Sequence, residues 1–242
     1  MEDIQTNRTA PNPPLKGTTK ASRRKPYFVK TPWWLKKLYP SRLWNVDTKK
    51  NILYLSFDDG PHPEATPFVL SELKKHNALA TFFCIGKNVL LWPEIYRRIL
   101  DEGHAVGNHT QNHLNGWKVN NDVYLKDIAE AATYIDSDLY RPPYGRITSF
   151  QASHLRLAMR GRKPRIVMWD VLSADFDATT TAEECLENVI FKSKPGSIIV
   201  FHDSEKAYLK LLFCLPKILQ FFTEKGYQFH ALKGLDEDNK IY

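Results

Sequence analysis

From Asn51 onward, short β-rich runs alternate with amphipathic stretches, and this alternation limits what the chain can fold into more than any other property it has. The runs predict strands at 51–57, 80–85, 104–108, 138–141, 165–170, 197–202 and 227–231. The apolar periodicity between them predicts helices at 64–76, 88–102, 121–135, 148–160, 181–192 and 205–224. Alternation of this kind calls for parallel strands wrapped by helices, as an open sheet or as a barrel. Polar residues follow the strand ends: Asp58 and Asp59 after the first, His109 after the third, Arg141 after the fourth, Asp175 after the fifth and His202 after the sixth. A barrel gathers such ends on one face, where the sites of that architecture are built, and an open sheet does not bring all of them together so readily. A barrel spanning 51–242 is therefore the expected α/β fold.

The front of the chain reads differently. Residues 1–26 are rich in Pro, Thr, Asn and Lys with few large apolar groups, which predicts a disordered basic tail. Within 27–50, Trp33-Trp34-Leu35-Lys36-Lys37 fits either an interfacial membrane anchor or a short helix that caps the domain with its aromatic face, and the cap is the preferred reading. Residues 1–50 hold 12 Lys/Arg against 3 Asp/Glu, a net of +9, whereas residues 51–242 hold 22 against 24, a net of −2. A near-neutral domain suits an uncharged glycan better than a nucleic acid, which would need a basic stripe on the domain itself. The tail is left as a weak contact for anionic surfaces. Cys84, Cys185 and Cys214 sit among apolar residues and read as buried free thiols. No apolar run is long enough to span a bilayer and no signal peptide is evident, so the expectation is a monomer in the cytoplasm.

Two features carry chemistry. His109-Thr110-Gln111-Asn112-His113 spaces two imidazoles four residues apart, and on a helical turn both rings would face one point. Unlike the HExxH pattern of metalloproteases, no carboxylate lies between the histidines, so any base comes from elsewhere in the chain. The apolar run Leu53-Tyr54-Leu55-Ser56-Phe57 ends abruptly in Asp58-Asp59-Gly60-Pro61. Asp before Gly-Pro also suits a plain turn, yet two adjacent acids repel one another unless they share a cation or a proton. One of these carboxylates with His109 and His113 makes two nitrogens and one oxygen, a set that leaves positions open for water and substrate.

With these motifs the sequence resembles the NodB-homology polysaccharide deacetylases, carbohydrate esterase family 4. The resemblance rests on Ser56 to Gly60, His109 to His113, Arg141-Pro142-Pro143-Tyr144-Gly145, Trp169 to Phe176 and Ile198 to His202, in order over about residues 50–235. It implies a distorted (β/α) barrel that binds one divalent cation, zinc before Co²⁺ or another ion. It implies metal ligation by Asp59, His109 and His113, with Asp58 as the base toward the attacking water. Arg141 resembles the arginine that pairs with the base. Tyr144 would hold the oxyanion through its backbone N–H, and His202, charged beside Asp175, would protonate the leaving amine. Phe176 and Val200 would form the pocket for the acetyl methyl.

The implied reaction is removal of N-acetyl groups from a polymer or oligomer of N-acetylglucosamine, chitin-like or peptidoglycan-like. O-acetyl esterase or lipid-linked sugar deacetylase activity on the same site is the alternative, as is a non-catalytic glycan-binding protein. Leu172 stands where an acid is often found and Phe176 where tryptophan is usual, which bears on substrate preference. Two histidines and a carboxylate also occur in non-haem iron oxygenases, which need no additional base, arginine and acid. The remaining histidines, His62 among them, read as surface or packing residues, and Asp203 as a cap on the last helix.

Overall fold

The structure is a computed structural model that describes residues 27–234. The tail expected over 1–26 lies outside the described residues. The central strand, β1 (Ile52–Asp58), is buried along its whole length, as a parallel strand covered on both faces must be. It is flanked by β2 (Ala80–Cys84) on one side and β7 (Ile198–His202) on the other, both parallel to it. Beyond β2 follow β3 (Ala105–Asn108), β4 (Leu139–Tyr140) and β5 (Arg165–Ile166). Beyond β7 lies β6 (Val171–Leu172), while β8 (Gln228–Phe229) pairs with the start of β1.

The two ends of this order, β5 and β6, are pieces of one run of chain. Its first part pairs with β4 and its second with β7, so the sheet returns on itself as a distorted barrel of the expected NodB type. The single strand predicted at 165–170 is thus two. Between its halves the carbonyls of Val167 and Met168 accept bonds from the buried Arg141 guanidinium, at 3.2 and 3.0 Å.

Helices α2 (Ala65–Lys75), α7 (Ala182–Lys192) and α8 (Glu205–Glu224) cover β1, β2 and β7 with their apolar faces; Leu70, Val189 and Leu215 are among the residues packed there. The helix predicted at 88–102 is also two, α3 (Gly86–Leu91) and α4 (Pro93–Asp101). Pro93 has no N–H to continue the first helix and opens the second. On the far side α5 (Asn121–Ala131) packs against α6 (Ser149–Ala158), which starts with a capping box from Thr148 and Gln151.

The segment before β1 is built into this barrel. Leu43 bridges alongside Val167, with bonds from Leu43 N to Ile166 O (2.9 Å) and from Met168 N to Leu43 O (2.8 Å). Thr31 and Val29 bond to Asp170 and Leu172 at 2.9 and 2.8 Å. Buried Asp170 holds the segment in place, accepting from Lys30 Nζ (2.5 Å), Lys36 Nζ (2.6 Å) and Ser197 Oγ (2.5 Å). The short helix expected here forms as α1 (Trp33–Leu38), but its tryptophans face solvent and its domain side is Leu35 and Lys36. The aromatic face does not cap the domain, because the contact is made by the Lys36–Asp170 pair instead.

Asp170→Ala is expected to lower the unfolding free energy by about 3 kcal/mol, since three donors lose their acceptor and two of them are partly exposed cations. The midpoint of denaturant unfolding checks this, and an unchanged midpoint would mean the segment adds nothing to stability.

Candidate active site

Asp58 ends β1, and Asp59 follows in a left-handed conformation, φ 80°. Asp203 holds this turn. Its Oδ1 accepts from Gly60 N (3.1 Å), its Oδ2 accepts from Thr66 Oγ1 (2.5 Å), and its own N–H donates to Asp58 O (3.0 Å). A Cβ at position 60 would lie 2.1 Å from Asp203 Oδ2, so only glycine fits. The helix cap expected of Asp203 is not what it makes: α8 begins after Ser204 without a side-chain cap, and the Asp203 carboxyl points back to β1. Burial pushes this carboxyl up to about 8, against the bond from Thr66.

His109 and His113 lie beyond β3, and not on a helical turn as their spacing suggested. Thr110 and His113 are left-handed, at φ 66° and 56°, and the loop is shaped by side chains instead. Asn108 Oδ1 accepts from Thr110 N at 2.8 Å. Asp127 on α5 accepts from Gln111 N (3.0 Å), Asn112 N (3.1 Å) and Asn112 Nδ2 (2.6 Å). The result still brings the two rings together, with centroids 5.1 Å apart.

His109 Nε2 lies 3.7 Å and His113 Nε2 3.2 Å from Asp59 Oδ1, and one ligand atom from each of the three residues falls within 4.8 Å of the others. Burial, together with the neighbouring His113, lowers His109 to about 3, and burial lowers His113 also, so His109 is neutral at physiological pH. His109 Nδ1 donates to Arg141 O at 2.8 Å, which leaves Nε2 as a lone pair aimed at Asp59. Asp59 Oδ1 is buried without a hydrogen-bond partner. A carboxylate oxygen and an imidazole lone pair converging without a donor between them fit a divalent cation with open coordination.

Two ion pairs share this end of the barrel. Arg141, fully buried over the ring of Phe83, donates from Nη1 to Asp58 Oδ1 (2.6 Å) and Ser56 Oγ (2.9 Å). His202 is the register partner of Asp58 on β7. Its Nδ1 donates to Asp175 Oδ1 at 2.8 Å and its backbone N–H to Asp175 Oδ2 at 2.7 Å. Burial disfavours charge on His202, but the Asp175 carboxylate outweighs it and raises the ring to about 9.

These groups open into a cavity of about 610 Å³, with walls formed by Tyr144, Trp169, Leu172, Phe176 and Val200. Tyr144 lies tilted against His113, with ring centroids 4.7 Å apart, and Phe176 meets His202 edge-on at 5.1 Å. The cavity thus gathers Asp58, Asp59, His109, His113, Tyr144, Phe176, Val200 and His202, with Arg141 and Asp175 directly behind. It also takes in Tyr27, which the sequence analysis did not single out, and His62, which it read as a surface or packing residue. Tyr27 packs on Phe176 and donates to Asp177, and His62 lines the wall while its Nδ1 accepts from the first N–H groups of α2. Asp127 had a signal: it falls in phase with buried Tyr124, Ile128 and Ala131, where an acid needs partners. Asn108 and Asp203 had none beyond adjacency to His109 and His202.

The sequence profile described as polysaccharide deacetylase matches residues 45–158. A peptidoglycan-N-acetylglucosamine deacetylase of Bacillus cereus is 37% identical over 193 residues, covering 77% of this chain and 68% of that protein. A chitooligosaccharide deacetylase of Azorhizobium caulinodans is 33% identical over 166 residues, covering 65% of this chain and 76% of that protein. Among solved structures, a peptidoglycan N-acetylglucosamine deacetylase in complex with 4-naphthalen-1-yl-N-oxidanyl-benzamide superposes with a TM-score of 0.75 at 33% identity, over 88% of this chain and all (100%) of that one.

Proposed function

The chain belongs to the polysaccharide deacetylase family, and from that premise we propose that it hydrolyses the N-acetyl groups of N-acetylglucosamine units in a poly- or oligosaccharide, leaving a free amine and acetate. One divalent cation, zinc, would be held by Asp59, His109 and His113. Such a cation, when bound, acts as a Lewis acid that lowers the pKa of water and polarises a carbonyl oxygen.

The chain's own residues supply the rest. Asp58 accepts the proton of the attacking water, and the Arg141 guanidinium fixes the orientation of its carboxylate. The backbone N–H of Tyr144 would donate to the oxygen on which negative charge develops. His202, kept cationic by Asp175, donates its Nε2 proton to the nitrogen as the C–N bond breaks, because an amide anion is otherwise a poor leaving group. Phe176 and Val200 receive the acetyl methyl and exclude water from it.

The observation that carries this reading is the pairing of opposite functions in one cavity. Asp58 and His202 end adjacent parallel strands in register, one beside a cation and the other beside an anion. That arrangement supports a base and an acid working on one substrate, and nothing in it serves a protein that only binds glycan.

Acetate release measured beside free-amine formation, on acetylated chito-oligomers, peptidoglycan fragments, a lipid-linked acetylamino sugar and an O-acetylated sugar, tests it. Matched acetate and amine from an N-acetylated glycan, lost on chelation and restored by zinc, is the expected result. Acetate from the O-acetylated sugar alone would replace this reading with that of an esterase.

A further inference from the structure

We propose that the outward face of α1, together with Phe28, docks this protein peripherally on an anionic lipid surface. Four large apolar side chains stand free on this short stretch: Phe28 is 55% exposed, Trp33 69%, Trp34 49% and Leu38 63%. They form one surface. The Trp34 ring meets Phe28 edge-on at 6.3 Å, and Lys37, one turn on from Trp33, lies over its indole at 5.0 Å. The opposite side of the helix is anchored, since Lys36 bonds Asp170 and Thr31 N bonds Asp170 O. The patch is therefore presented rigidly, and contiguous exposed apolar surface with a charged rim marks a contact site.

The chemistry selects the occupant. Tryptophan beside lysine matches the boundary between headgroups and acyl chains, where an indole keeps its N–H wet and its ring buried while lysine extends to the headgroups. Charge complementarity points to anionic lipid: residues 1–50 carry a net of +9 and the remainder −2. A second copy seated symmetrically on the same face would set two such basic segments against each other. No helix among the described residues is long and apolar enough to cross a membrane, so the contact is a surface one. Tyr27 lines the cavity while Phe28, the next residue, belongs to the patch, so docking would fix where the cavity mouth stands relative to the bilayer.

The test uses the full chain with vesicles of phosphatidylcholine, with and without phosphatidylglycerol, read by co-sedimentation and by the blue shift of tryptophan emission. Binding is expected only with phosphatidylglycerol present, weakened roughly tenfold by the Trp33→Ala/Trp34→Ala double variant and reversed by high salt. The variant should keep its thermal midpoint and its circular dichroism, because Trp33 and Trp34 are both exposed and no residue of α1 is buried. No sedimentation with the mixed vesicles would overturn the proposal. So would equal binding by the variant, which would assign the contact to the basic chain alone, or self-association of the vesicle-free protein that the variant abolishes.

Discussion

Asp58→Asn is expected to keep full metal occupancy while turnover falls by a factor on the order of 10² to 10⁴, the loss associated with removing a general base. The amide retains the size of the carboxylate and an oxygen that can still accept from Arg141 Nη1, so the buried guanidinium is not left without a partner. What is lost is a group able to take a proton at neutral pH. Asp59→Asn is expected to behave in the opposite way. Its Oδ1 faces His109 Nε2 and His113 Nε2, so loss of its charge weakens the cation site itself, and added zinc should restore part of the rate. Elemental analysis and rate against zinc concentration, run on both variants, separate the two roles. Zinc rescue of Asp58→Asn with none for Asp59→Asn would exchange them, and undiminished rates in both would remove the hydrolytic mechanism.

The difference between these neighbours arises from the backbone. Asp58 still belongs to β1 and points to Arg141, whereas Asp59, left-handed at φ 80°, turns toward the histidines. Arg141 links the two halves of the site. Its guanidinium holds Asp58, and its carbonyl fixes the tautomer of His109, so one buried residue orients both the proposed base and a proposed metal ligand.

Much of this was legible in the residues themselves. A strand buried on both faces reads as a continuous apolar run, which is why β1 and the acids at its end stand out, and most helices kept the bounds their periodicity predicts. Two kinds of feature escaped. The first is irregular pairing. The run 165–172 changes partners from β4 to β7 after two-residue strands, and Leu43 and Val29 bond along it without forming strands of their own. Such segments have no period to detect. The second is support from side chain to backbone. The His109–His113 loop takes its shape from Asn108 and Asp127, and the Asp58–Gly60 turn from Asp203. Spacing alone suggested a helix turn for the histidines because four residues bring rings together on a helix; here two left-handed residues achieve the same approach.

Asp175→Asn is expected to move the alkaline limb of the pH–kcat profile from about pH 9 to below 6.5, and at pH 8 to lower the rate by roughly tenfold for each unit by which the new limb lies below pH 8. The sign follows from the balance at His202. Burial lowers its pKa, and the raised value near 9 exists because Asp175 stabilises the cation by charge and by the 2.8 Å bond from Nδ1. A group raised in this way contributes its stabilisation below its unfolded value near 6.5, and the contribution is lost as pH rises through about 9. With asparagine the charge is gone while the burial remains, so the ring loses its proton earlier and cannot deliver it to the departing amine. The amide also cannot accept from both the ring and the His202 backbone N–H, because one of its two ends is a donor. Metal occupancy should be unchanged, since no ligand touches Asp175, and this separates the effect from damage to the cation site. A profile measured on a soluble acetylated oligomer decides the matter: an alkaline limb that stays near pH 9 in the variant would mean that His202 is not the acid that sets it.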